Sequence, residues 1–149
     1  MTLSIKSILL LANEQAESPI EFDTDEILGC IMHNSIDCIV IKDKLGRYIW
    51  INNAGCAFLN RSVEDVIGKT DFDLFEKEAA LLIRKTDQEV MMQDVTHTYE
   101  AFLKPSQAPG RQFKAIKRPY KNSHGETQGI INIVRDITPS VAASMPGSS

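Results

Sequence analysis

Two short apolar runs, Cys38-Ile39-Val40-Ile41 and Tyr48-Ile49-Trp50-Ile51, flank Asp43-Lys44-Leu45-Gly46, and this spacing constrains the chain more than any other feature. Runs rich in β-branched and aromatic residues suit a pleated strand. Gly46 supplies the positive φ that a tight turn needs, so the two runs read as a β-hairpin. The period then changes. Residues 53–60 and 62–68 read as short helical pieces, the second capped by Ser62 and ended by Gly68. Thr70 or Asp71 caps a further short turn through Phe75. Residues 77–93 lack Gly and Pro and space Ala80, Leu81, Ile83, Val90 and Met91 with partial helical periodicity, which predicts one long helix.

Three strand-like segments follow, roughly 96–104, 111–121 and 127–137, separated by turn formers at Pro105 to Gly110 and Asn122-Ser123-His124-Gly125. Two strands, short helices, a long helix and three strands fit an α+β domain, a five-stranded antiparallel sheet with helices on one face. The runs 38–41 and 130–134 are apolar at nearly every position, so both sheet faces are expected to be buried. Amphipathic helices at residues 3–16 and from Asp23-Thr24 to Asn34-Ser35 are the candidates to cover the second face. The expected organisation is 1–34 flanking helices, 35–138 domain, and 139–149 a disordered tail of small residues.

A chain of 149 residues holds about one such domain. Its net charge of −4, with Lys and Arg scattered, argues against nucleic-acid binding by this segment. The apolar run Ile8 to Ala12 is far too short to span a bilayer and no cleavage site follows, so a soluble, cytoplasmic chain is expected. Cys30, Cys38 and Cys56 form no C-x-x-C pair and read as buried free thiols in a reducing compartment. No nucleophile elbow, phosphate loop or H-E-x-x-H motif is present, and Asp71, Asp73 and Glu76 follow helix-capping logic; the chain reads as non-enzymatic. His33, His97 and His124 read as partly exposed histidines, with no metal site expected.

Three ordered pieces carry a family resemblance. DCIVIKDKLGRYIWINNAGCAFLNRS resembles the first two strands and following helix of a PAS domain, VIGKTDFDLF the short helices beside its cavity, and FKAIKRPYKNSHGETQGIINIVRDIT its last hairpin and terminal Asp-Ile-Thr. Residues 35–138 thus look like a PAS domain of bacterial sensor kinases and cyclic-dinucleotide enzymes. The resemblance implies a small apolar pocket, for which Ile39, Ile41, Phe58, Phe72, Phe75 and Ile131 are the candidate lining. Asn52 either faces that cavity or caps the next helix. It also implies that Asp136 and Thr138 form the signal exit to an output helix. Haem-binding members offer a His from the long helix, and 77–93 has none; photosensory flavin members carry a Cys in the region that reads KTDFDLF here. No cofactor is therefore expected, Cys56 is read as core, and the purified protein should be colourless.

Two functions fit: a sensory module that binds a small ligand and relays strain through its last strand, or a ligand-free interaction module. The implied partners are a signalling effector, such as a histidine kinase, cyclic-dinucleotide enzyme or transcription regulator, and a second copy of the chain. Leu3, Ile5, Ile8, Leu9 and Leu11 give the first helix more apolar surface than a short helix needs, so it is expected to form a homodimer; the alternative is a helix folded back on its own sheet. Pro139 follows the exit at once, and the chain is either free-standing or part of a larger sensor.

Overall fold

Asp43 closes the first hairpin with its own side chain: Oδ1 accepts from the amides of Leu45 and Arg47 at 3.0 and 2.9 Å, and Oδ2 from Arg47 Nε at 2.6 Å. Gly46 sits in the turn at φ +85°, as the hairpin reading required. The structure, a computed structural model, describes residues 4–15, 17, 21 and 23–139. The expectation for the tail at 140–149 lies outside the described residues. Contacts divide the chain into two units, Met1–Asn34 and Ser35–Ser149.

The larger unit holds β1 (Cys38–Asp43), β2 (Tyr48–Ile51) and α3 (Asn53–Leu59), then α4 (Asp71–Leu74) and α5 (Lys77–Gln93), then β3 (His97–Leu103), β4 (Arg111–Lys121) and β5 (Thr127–Asp136). The five strands form one antiparallel sheet in the order β2-β1-β5-β4-β3. Residues 62–68 are not the expected helix. They wind as successive turns, with the amides of Val66 and Ile67 both bonded to Val63 O at 3.0 Å, although Ser62 Oγ does cap Asp65 N at 3.3 Å. Thr70 and Asp73 form the capping box of α4, with Thr70 N donating to Asp73 Oδ2 at 3.0 Å.

The helices α3, α4 and α5 lie over one face of this sheet, and Val40, Ile51, Leu59, Val66, Leu74, Ala80, Ile83 and Phe113 pack between the layers. Truncating a side chain such as Leu74, which is fully buried, typically costs about 2–5 kcal/mol. At Gly129 the sheet admits no side chain: a Cβ there would collide with the carbonyl oxygen of Lys42 on β1. The opposite face of the sheet, taken within this unit, carries apolar side chains. Ile39 and Ile41 are half-buried, and Ile133 and Ile116 are 36% and 42% exposed.

In the smaller unit are α1 (Ile5–Glu14) and α2 (Thr24–Asn34). Ser4 Oγ caps α1 at Ser7 N (3.1 Å), and Asp23 Oδ1 caps α2 at Glu26 N (3.1 Å). Neither helix buries a residue, and Ile5, Ile8, Leu10 and Leu11 on α1 are each about half exposed.

Candidate functional site

Side chains alternate along a strand, so Cys38, Val40 and Lys42 of β1 share the helix-covered face while Ile39 and Ile41 share the other. The register then sets Val40 opposite Asn132 and Asn132 opposite Lys117, one inward-facing row running across β1, β5 and β4, with Lys42 at the next inward position of β1. Helix α5 lowers Asp87 onto this row, because Ala80, Ile83, Asp87 and Val90 occupy successive positions of its buried stripe. Asp71 enters from the first turn of α4.

The result is a buried ion cluster. Lys42 Nζ lies 3.0 Å from Asp71 Oδ2 and 2.5 Å from Asp87 Oδ2. Lys117 Nζ donates to Asp87 Oδ1 at 2.6 Å and to Thr86 Oγ1 at 2.8 Å, Tyr48 Oη donates to Asp71 Oδ1 at 2.6 Å, and Asn132 Nδ2 donates to Asp87 Oδ1 at 3.4 Å. Burial opposes every one of these charges. For Lys42, Asp87 and Asp71 together outweigh it and raise the pKa above the usual lysine value. Burial likewise pushes Asp87 up, but Lys42 and Lys117 outweigh it and hold the carboxyl below the usual range. For Lys117, burial, reinforced by repulsion from Lys42, prevails over Asp87 and lowers the pKa. Burial and then Asp71 hold the Tyr48 phenol well above its ordinary value.

Beside the cluster lies a cavity of about 40 Å³, walled by the apolar side chains of Phe58, Leu59, Phe75, Ile83 and Leu103 and closed at its polar end by Lys42, Lys117 and Asn132. A second cavity of about 70 Å³ shares Ile83, Leu103, Ala115 and Lys117 with it. Spaces of this size hold water molecules rather than a drug-sized guest. An open groove of about 450 Å³ on the outside shares Cys38, Phe58 and Val134 with the inner cavity. Phe58 therefore stands between inside and outside, its ring centroid 4.3 Å from Phe113 and 6.0 Å from Phe75. Burial pushes the Cys38 thiol up to about 12, which keeps it protonated and unreactive.

Of the residues expected to line a pocket, Phe58 and Phe75 are on the cavity wall. The placement of Ile39, Ile41 and Ile131 is corrected: all three point to the opposite sheet face, because the residues that alternate with them turn inward. Phe72 is corrected too, being 51% exposed while its neighbours Asp71 and Leu74 turn inward. Asn52 is fully buried but serves the backbone: Oδ1 accepts from Ile39 N and Gly55 N, both at 2.9 Å, and Nδ2 donates to Asp37 O at 2.8 Å. Asp71 is an ion-pair partner and not a solvated cap. Cys30 is exposed and Cys56 half-buried, so only Cys38 is a buried thiol. At the chain exit Asp136 Oδ1 accepts from Thr138 N at 2.8 Å, Thr138 Oγ1 accepts from Gln112 N at 2.8 Å, and Arg111 Nε lies 3.3 Å from Asp136 Oδ2. Lys42, Asp87, Lys117 and Asn132 were missed. Their signal was a polar residue at an apolar position: Asp87 within the α5 stripe, Asn132 within IINIV, and Lys42 in step with Cys38 and Val40.

A family model for the PAS fold matches residues 32–142. The chain belongs to the PAS family. It is a sensory and signal-transduction module, and this domain is not a catalytic one. It is 30% identical over 108 residues to the methanogenesis regulatory histidine kinase FilI of Methanothrix harundinacea, a match covering 72% of this chain and 12% of that protein. A diguanylate cyclase of Vibrio cholerae is 29% identical over 103 residues, covering 67% and 32%. The chain thus spans a minor part of either relative. Among solved structures, the PAS fold recurs in the Vibrio cholerae VqmA–ligand–DNA complex with a TM-score of 0.69 at 20% identity, over 80% of this chain and 54% of that one. Among the described residues no helix is long and apolar enough to cross a membrane.

Proposed function

We propose that this PAS domain senses a small molecule in its inner cavity and relays the change along β5 to the exit at Asp136 and Thr138. Its output is a histidine kinase, a cyclic-dinucleotide enzyme or a transcription regulator, in the same chain or in trans, and the free thiols suit a cytoplasmic setting. One observation carries the reading: Asn132 and Val134 of β5 line the cavity, and the same strand ends at Asp136. At about 40 Å³ the cavity is nearly full, so a guest must displace its wall. Displacement of Val134 moves a strand whose end holds the exit turn, which converts occupancy into a change of chain direction. VqmA, with the same fold, is described as a ligand complex. Native mass spectrometry of freshly purified protein tests the proposal. A small-molecule mass that leaves on denaturation is expected; a bare chain in every preparation favours the ligand-free interaction module.

The apolar side chains of α1 support a homodimer through that helix, since Ile5, Ile8, Leu10 and Leu11 are all about half exposed. VqmA is described as a dimer. Sedimentation of the full chain and of the double variant Ile8→Lys/Leu11→Lys separates the cases. A dimer that becomes a folded monomer supports the proposal, and a full-length monomer at tens of micromolar overturns it.

A further inference from the structure

A guest in the inner cavity, which the small-molecule reading above requires, meets a polar end of fixed charge and fixed hydrogen-bonding capacity. Asn132 is 4% exposed, and its Oδ1 has no hydrogen-bond partner among the described residues. The amide cannot simply flip, because Nδ2 faces Asp87 Oδ1 at 3.4 Å and a reversed amide would set two oxygens against each other. A buried acceptor without a donor is costly, and it marks a place where a donor is expected. Opposite it across the sheet, Lys117 uses two of its three N–H groups on Asp87 and Thr86. The ammonium also lies 5.6 Å from the Tyr99 ring centroid, a contact weaker than a hydrogen bond, which leaves the third N–H able to donate to a guest.

Charge decides the rest. Two ammonium groups, Lys42 and Lys117, face two carboxylates, Asp71 and Asp87, and all four are buried. The quartet is balanced, so an anionic guest brings a third negative charge and a cationic guest a third positive one, each desolvated without an uncompensated partner. A neutral guest avoids both costs. Lys117 Nζ and Asn132 Nδ2 both contact Asp87 Oδ1, at 2.6 and 3.4 Å, so the two side-chain ends converge on one point, and the donor for Asn132 and the acceptor for Lys117 belong close together on the guest. Beyond them the wall is apolar, and the cavities of about 40 and 70 Å³ share Ile83 and Leu103. Benzene occupies a cavity of about 150 Å³, so the two spaces of about 40 and 70 Å³ admit a single ring only when they join and the wall yields, which is the displacement that the small-molecule reading calls for.

We propose that the site takes a small neutral ring whose edge carries a hydrogen-bond donor beside an acceptor, as in a lactam, the donor meeting Asn132 Oδ1 and the acceptor Lys117 Nζ. The test titrates the full chain with four probes, followed by the amide signals of residues 115–118 and 130–134 in proton–nitrogen correlation spectra. The probes are 2-pyridone, 2-pyrone (the same ring and carbonyl without the N–H), benzoate and toluene. The expected result is saturable binding of 2-pyridone at least tenfold tighter than 2-pyrone, about 1.4 kcal/mol, with benzoate and toluene weaker still. In Asn132→Leu the preference for 2-pyridone over 2-pyrone should disappear while toluene binding persists. The wild-type comparison decides the matter by itself if that variant does not fold. Binding of 2-pyrone, benzoate or toluene as tight as 2-pyridone overturns this inference and leaves the cavity reading standing. No saturable shift with any probe overturns both.

Discussion

The carboxylate of Asp87 accepts a 2.6 Å hydrogen bond from Lys117, and this bond, with both side chains out of solvent, ties α5 to β4 inside the domain. Because Lys42 contacts the other oxygen of Asp87, one aspartate links α5 to two strands on either side of β5. The cluster is a specificity device more than a source of net stability, since burying four charges costs about what their mutual attraction returns.

Removing one member while keeping the rest is therefore the damaging change. Asp87→Ala leaves two buried ammonium groups with one carboxylate, and a loss of about 3–5 kcal/mol is expected in urea denaturation. The double variant Asp87→Leu/Lys117→Met leaves Lys42 paired with Asp71 at 3.0 Å and should recover most of that loss. A double variant no more stable than Asp87→Ala would show that packing, not the unpaired charge, sets the cost.

Stability should depend on pH through the same groups. The folded pKa of Asp87 is depressed, so its contribution is present above its unfolded value of about 3.9 and is lost as pH falls through the folded one. Lys42 has a raised folded pKa, so its contribution is present below about 10.4 and is lost as pH rises through the folded value. Lys117 has a lowered folded pKa and works the other way. Between that value and about 10.4 the folded state sheds the proton first, and this group's contribution rises with pH. Urea midpoints of wild type and Asp87→Asn from pH 6 to pH 3 should converge toward the acid end, and a constant gap would contradict the assignment.

Phe58 separates the inner cavity from the outer groove, and Cys38 lies on the wall they share. Phe58→Ala should open a passage, with a loss toward the lower end of the about 3–5 kcal/mol typical of Phe→Ala because the ring is only half-buried. In a Cys30→Ser/Cys56→Ser background, a thiol reagent should modify Cys38 slowly in the presence of Phe58 and much faster without it. Equal rates would place the barrier elsewhere.

Asp136 is exposed, and its bond to Thr138 N is a local turn contact. Asp136→Ala should therefore lower overall stability by less than about 1 kcal/mol, below the cost of orphaning a buried group. Amide exchange should quicken at Thr138 and remain unchanged at Ile130 in the core. An equal acceleration at both would mean that the exit turn and the sheet open as one unit.

The order of elements was legible from sequence because it rests on local chemistry. Short runs of β-branched and aromatic residues bounded by turn formers gave five strands, the Gly-free and Pro-free stretch gave α5, and Gly46 gave the hairpin. The segment 62–68 carried correct cap and stop residues yet winds as turns, since Val66, fully buried, is fixed by packing and not by helix propensity. Which face of the sheet turns inward was decided only by the tertiary structure. Strand alternation distinguishes core from solvent when polar residues face water, and here the polarity is inverted: Lys42, Lys117 and Asn132 are inside, while Ile39, Ile41 and Ile133 lie on the other face. A buried lysine is tolerable only beside a carboxylate from elsewhere in the chain. The partners of Lys42 and Lys117 come from Asp71 and Asp87, 29 and 30 residues away, and only the folding of α4 and α5 onto the sheet brings them within reach.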